Sequence, residues 1–297
     1  MLAVVAEIIK QIPDWRDVDN IQVESLAGLT NTNYLATVNG VRFVLRVSGP
    51  NTARLGINRN HEIEILSAVS DAGIGAQVEH YLLPEGHLVT RYINGHHLSL
   101  EEYRTTENIQ RIVKTVQHLH ELPLVKAVFS PFRRVESYMK QAQSMQVALP
   151  HDFDKLLAKM SAIKQAQAHD PDPWRRLCHN DLFCVNVLDD GNIRFIDWEF
   201  SGVGDIYYDL ATLTYAYDSL DTLPRELQEY MLMCYFGEVR PAHRIRLEGM
   251  QYMLMFFTAM WGVLQQGMQN AGYVRAVVGF DFMEYAHATF EAMREIL

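Results

Sequence analysis

Between Tyr34 and Val47 the chain reads YLATV, then Asn39-Gly40, then VRFVLRV. An Asn-Gly pair between two alternating runs is the strongest short-range hairpin signal, because both turn residues must take positive φ to match the strand twist. A two-residue turn there leaves no freedom of register. Val38 faces Val41, and counting outward sets Asn33 opposite Arg46. The polar loop GLTNTN, residues 28–33, is therefore delivered beside Arg46. On the second strand Val41, Phe43, Leu45 and Val47 share one face, and Arg42, Val44 and Arg46 the other.

Strand-like alternation extends from Val23 to about Thr90, interrupted by NRNHEIEILSAVSDAG, which reads as a helix stopped at Gly73. Glu62 precedes Ile65, Leu66 and Val69 by three, four and seven positions, so it lies on the inward stripe of that helix. An inward carboxylate needs a cation, and Arg46 on the neighbouring sheet is the natural one.

After HLVTRYINGHHL the periodicity turns helical and stays so, with stretches at Ile109 to Leu119, Phe153 to Ala168, Ile206 to Tyr217, Glu248 to Gln266 and Phe282 to Ile296. The expected fold class is α+β with two lobes. Residues 1–93 form a small β-rich lobe and residues 94–297 a larger, mostly α lobe. The N-terminal MLAVVAEIIK carries Glu7 inside its apolar run and reads as an amphipathic helix, not a signal peptide. The apolar run from Met250 to Leu264 is shorter than the roughly 20 residues needed to span a bilayer.

Within the larger lobe, LCHNDLFCVNVLDDGNIRFIDWEF (Leu177 to Phe200) sets polar groups among apolar runs, with a small hairpin over VNVL, DDGN and IRFIDW. Phosphoryl transfer from a nucleotide needs a carboxylate to take the proton of the attacking hydroxyl and oxygen ligands for Mg²⁺ on the phosphates. Asp181, Asn186 and Asp197 are residue types that supply both. Thirty-six acidic against 26 basic residues give a net charge of −10, which argues against nucleic acid or an anionic membrane as partner and suits a cationic ligand. Three cysteines without a CxxC pair fit a reducing cytoplasm better than a disulfide framework or a zinc site. Nothing in the sequence sets the oligomeric state.

The HxDxxxxN element joined to IDWE resembles the choline/ethanolamine kinases and aminoglycoside phosphotransferases, which share a two-lobed protein-kinase-like fold. The resemblance runs from GLTNTNY through FVLRV, Glu62, VTRYINGHHL, the HND segment and GDIYYDLATL to FFTAMWGVLQQ and GFDFMEYAHATF. It implies an ATP- and Mg²⁺-dependent kinase in which Asp181 is the catalytic base and Asn186 and Asp197 bind Mg²⁺. Gly28, Leu29, Thr30, Asn31 and Asn33 would cover the ATP phosphates, Arg46 would contact them and Glu62 would hold Arg46. Arg91, Tyr92 and Ile93 complete the nucleotide site by the same likeness. Asp209 matches an aspartate that anchors the catalytic loop, and His179 buttresses that loop. Glu199 is either a partner behind the metal ligands or a carboxylate facing the substrate.

The resemblance further implies choline, or a related amino alcohol such as ethanolamine, as the acceptor. Quaternary ammonium groups are recognised by aromatic faces, and Trp261, Phe282 and Tyr285 match the pocket helices, with Tyr215 beyond the metal segment. One departure concerns the pocket: Thr258 stands where the choline kinases carry a second Trp. Thiamine or an aminoglycoside on the same fold is the alternative acceptor, and a nucleotide-binding regulator without turnover is the alternative of another class.

Overall fold

The computed structural model describes residues 2–26, 31–168, 175–215 and 222–296. By backbone proximity the chain divides into two units. One comprises Met1–His96 with Leu188–Glu199, the other His97–Val187 with Phe200–Leu297.

The first unit opens with α1 (Leu2–Gln11), followed by strands β1 (Ile21–Leu26), β2 (Thr32–Val38) and β3 (Val41–Val47), helix α2 (Arg59–Asp71), and strands β4 (Val78–Leu82) and β5 (His87–Arg91). The five strands form one antiparallel sheet in the order β1-β2-β3-β5-β4. Asn39 and Gly40 both take positive φ, Val38 pairs with Val41, and Asn33 with Arg46, as the two-residue turn requires. Val5, Ile8, Ile12 and Trp15 pack on Tyr34, Ala36, Phe43, Leu45 and Val89, so the N-terminal helix and the turn that follows it supply the core on one sheet face. Asn58 caps α2 by accepting from the amides of Asn60 and His61.

Past β5 come β6 (His96–His97), α3 (Leu100–Tyr103), α4 (Thr106–Glu121), α5 (Pro131–Ser144), α6 (Phe153–Ala168) and β7 (Arg175–Cys178). The expected hairpin follows as β8 (Val187–Asp189) and β9 (Ile193–Phe195). It belongs with the first unit, where the Phe195 amide donates to the Ile74 carbonyl at 2.9 Å. The chain ends with β10 (Gly202–Asp205), α7 (Ile206–Thr212), α8 (Arg225–Phe236), α9 (Pro241–Asn270) and α10 (Phe282–Glu295).

In the second unit the 30-residue α9 is the central element, packed by α5, α7 and α10. Gly262 permits the last of these contacts, since a Cβ there would sit 2.8 Å from the Phe282 carbonyl. Helix α9 starts earlier than the apolar pattern from Glu248 indicates, because Pro241 at its first turn begins a polar stretch that carries no stripe. Helix α7 stops at Thr212, short of Tyr217, and residues 216 and 217 lie outside the described residues. The Thr212 and Thr214 hydroxyls donate back to the carbonyls of Asp209 and Ala211, a local bonding that competes with further helix. Among the described residues no helix is long and apolar enough to cross a membrane.

Candidate active site

Strand β7 delivers the chain into the loop His179 to Asn186, and Asp209 on α7 fixes that loop. Its Oδ2 accepts from the His179 amide at 2.9 Å and its Oδ1 from the Asn180 amide at 2.6 Å. His120 on α4 completes the anchor, with Nε2 3.0 Å from Asp209 Oδ2 and Nδ1 2.7 Å from the Tyr235 hydroxyl. Thr212 Oγ1 accepts from the Leu182 amide. Asn180 holds φ +65°, and its Nδ2 donates to the carbonyls of Cys178 and Phe200. Gly204 leaves room for it, because a Cβ there would lie 2.8 Å from Asn180 Oδ1. His179 is fully buried, as expected of a residue that buttresses a loop.

His120, Cys178 and Asp209 bring ligand-type atoms within 4.8 Å of one another. They read as an anchor: both Asp209 oxygens accept amide hydrogen bonds, and both His120 ring nitrogens are engaged, by Asp209 and by Tyr235.

On this anchored loop Asp181 and Asn186 meet. Asn186 Nδ2 donates to the Asp181 carbonyl at 2.7 Å and to Asp181 Oδ2 at 3.1 Å. The amide nitrogen being committed, Asn186 Oδ1 is left as an oxygen ligand for a hard cation.

Asp197 lies in the first unit, exposed, with φ +65°. Two residues on, Glu199 is buried and accepts from Asn31 Nδ2 at 2.8 Å. Burial, and then the Asp197 charge, push the Glu199 carboxyl up to about 7 against the opposing pull of Arg46, Asn31 and Arg59. Arg46 is 7% exposed and forks onto Glu62, which is 2% exposed, through two hydrogen bonds, the second of them 3.0 Å long. Burial works to lower the Arg46 pKa, but Glu62, Glu199 and Asp197 outweigh it and raise it, so the guanidinium stays charged. Burial likewise works to raise the Glu62 pKa, and Arg46 followed by Arg59 brings it below the usual carboxylate value. Gly28, Leu29 and Thr30 lie outside the described residues. Arg91 on β5 pairs with Glu79 at 2.6 Å; the Tyr92 amide donates to the Arg42 carbonyl, and Ile93 follows half-buried.

In the second unit α9 and α10 bring Trp261, Phe282 and Tyr285 together. Trp261 meets the Phe282 ring at 5.6 Å and the Tyr285 ring at 6.3 Å, both edge to face. Phe280 joins them at 5.3 Å from each of Phe282 and Tyr285. Phe282 is core, whereas Trp261, Phe280 and Tyr285 keep partly exposed faces. Tyr215 is buried at a bridge to Thr222 and makes no ring contact with this cluster among the described residues.

Known proteins share this sequence family and fold. A family profile described as choline/ethanolamine kinase matches residues 23–225. The chain belongs to that family. It is a phosphotransferase whose acceptor is an alcohol group. Protein LicA of Haemophilus influenzae is 30% identical over 234 residues, covering 77% of this chain and 67% of that protein. The crystal structure of a choline/ethanolamine kinase family protein from Mesorhizobium loti covers 99% of this chain and 94% of its own, at 27% identity and a TM-score of 0.80. Choline kinase LicA from Streptococcus pneumoniae shares the fold with a TM-score of 0.79 at 20% identity, over 99% of each chain.

Arg59, the first residue of α2, and Tyr81 are members of the Glu62 network that the sequence pattern does not single out. Arg59 Nη1 donates to Glu62 Oε2 at 2.6 Å, and the Tyr81 hydroxyl lies 2.9 Å from the same oxygen. The available signal was the i, i+3 spacing of Arg59 and Glu62. Phe280 was legible only as an aromatic two positions before Phe282.

Proposed function

We propose that the protein transfers the γ-phosphoryl group of ATP to the hydroxyl of choline, with ethanolamine as the nearest alternative acceptor. The supporting observation for choline is the ring cluster on α9 and α10. Trp261, Phe280 and Tyr285 keep partly exposed faces, and a trimethylammonium group, which donates no hydrogen bonds, is held by such faces. Ethanolamine has a specific point in its favour. Thr258, half-buried one helical turn before Trp261, offers a hydroxyl where the related choline kinases carry a second Trp.

Asp181 accepts the proton of the acceptor hydroxyl as its oxygen attacks the γ-phosphorus, while Asn186 Nδ2 and the Asp209 anchor hold the carboxylate in place. The charged fork of Arg46 takes phosphate oxygens, and Asn31 ties the phosphate loop to Glu199. Glu199 thus belongs to the phosphate side. Mg²⁺ takes oxygen donors of the kind that Asn186 Oδ1 offers in the second unit and the Asp197 carboxylate in the first, and it would offset charge on the phosphates. Among the described residues Cys178, Cys184 and Cys234 form no disulfide, which suits a reducing, cytoplasmic setting.

The test is a comparison of kcat/KM for choline, ethanolamine, thiamine and an aminoglycoside with MgATP. Choline should lead. A higher value for ethanolamine would move the acceptor to the primary amine, and ATP binding without product from any acceptor would favour a regulator.

A further inference from the structure

Buried beside Arg46 is a second guanidinium, that of Arg59, 8% exposed. It makes three connections. Nη1 bonds Glu62 Oε2 at 2.6 Å; Nη2 bonds Asn31 Oδ1 at 3.3 Å and approaches Glu199 Oε2 at 3.7 Å. Asn31 in turn donates to Glu199 at 2.8 Å and accepts from the Gly49 amide at 3.2 Å. Arg59 therefore sits where the end of the phosphate loop, the chain after β3, helix α2 and the IDWE segment converge.

The donors in this cluster outnumber its acceptors. Two guanidinium groups offer ten N–H bonds. They face the two Glu62 oxygens, the Gly86 carbonyl, Asn31 Oδ1 and Glu199 Oε2, and the Nε of both arginines is buried with no partner. A buried surplus of cationic donors is costly unless an anion answers it. The pair also shares one carboxylate, so when one guanidinium turns to a ligand, the other keeps Glu62 compensated.

We propose that Arg59 is a positioning residue for the nucleotide phosphates: it neutralises Glu62 in place of Arg46, freeing the Arg46 fork for phosphate, and ties Asn31 and Glu199 into that arrangement. This rests on the reading of the protein as an ATP-dependent kinase. Its effect is specific to phosphate. It should not touch the adenine half of the nucleotide or the acceptor.

The experiment measures ATP and adenosine binding by calorimetry, and KM for ATP and for choline, in wild type, Arg59→Lys, Arg59→Met and Arg59→Met/Glu62→Gln. Arg59→Lys keeps the charge but not the fork. Both single variants should weaken ATP at least about tenfold, as loss of a charge-assisted contact does, with adenosine affinity and choline KM unchanged. With Glu62→Gln alone measured beside it, the double change should cost less than Arg59→Met and Glu62→Gln added, because Arg59 then has less to compensate. Equal losses for ATP and adenosine, or ATP affinity at the wild-type level in both Arg59 single variants, would overturn the proposal. If the wild type itself binds no ATP, the kinase reading fails first.

Discussion

In the proposed mechanism Asp181 carries the chemistry, and its neighbours spend their hydrogen bonds on holding it. Asn186 donates to its backbone and its carboxylate, and Asp209 takes the two amides that precede it. Asp181→Asn should lower kcat by about 10²- to 10⁴-fold, the span of general base catalysis, with ATP affinity retained. An unchanged kcat by steady-state assay would remove Asp181 from that role. A second residue effect concerns pH. The Ser48 amide donates to His87 Nδ1, and burial, with Arg46 and Arg59 nearby, depresses the His87 pKa below its usual value despite Glu85. The folded protein then binds this proton less readily than the unfolded chain. The corresponding stability is present above the unfolded pKa and lost as pH falls through the folded one. His87→Gln keeps an acceptor for Ser48, so the drop in melting temperature between about pH 7.5 and about pH 5.5 should be smaller in this variant than in wild type.

At the scale of elements, patterns that repeat were legible and single contacts were not. The Asn39-Gly40 turn fixed the β2–β3 register because side-chain direction has period two, and Glu62 read as inward because it shares a stripe with Ile65, Leu66 and Val69. Arg59 is not legible in the pattern, because a basic residue in the first turn of a helix reads as solvated and its burial depends on Asn31 and Glu199, distant in sequence. Helix α5 is no more legible. Its buried residues Phe132, Val135, Tyr138 and Ala142 make a thin stripe in a polar stretch, and the start signal, Ser130 followed by Pro131, is brief. Two predictions belong here. Gly204→Ala on β10 would drive a Cβ against the buried Asn180, costing about 1 to 3 kcal/mol of stability, read as a lower denaturation midpoint, and lowering kcat with it. Trp261→Ala should raise the choline KM about two- to thirtyfold, the equivalent of one cation–π wall, while kcat and the KM for ATP stay near wild type.

For the molecule as a whole, family membership gives the reaction class, and the charge of −10 bears on how the acceptor arrives. An acidic protein draws in a cation through a field that salt screens. The value of kcat/KM for choline should fall as ionic strength rises, while that for its uncharged isostere 3,3-dimethyl-1-butanol stays level. Equal salt responses would detach the net charge from acceptor capture.

Transfer of the ATP γ-phosphoryl group to an amino alcohol by way of Asp181 can be followed in one measurement. Phosphorus NMR of the wild-type protein with MgATP and choline, run beside Asp181→Asn, tests it most directly. A phosphomonoester resonance of phosphocholine should grow in step with ADP for wild type and be nearly absent for the variant. ADP appearing only with inorganic phosphate, with choline and ethanolamine alike, would contradict it.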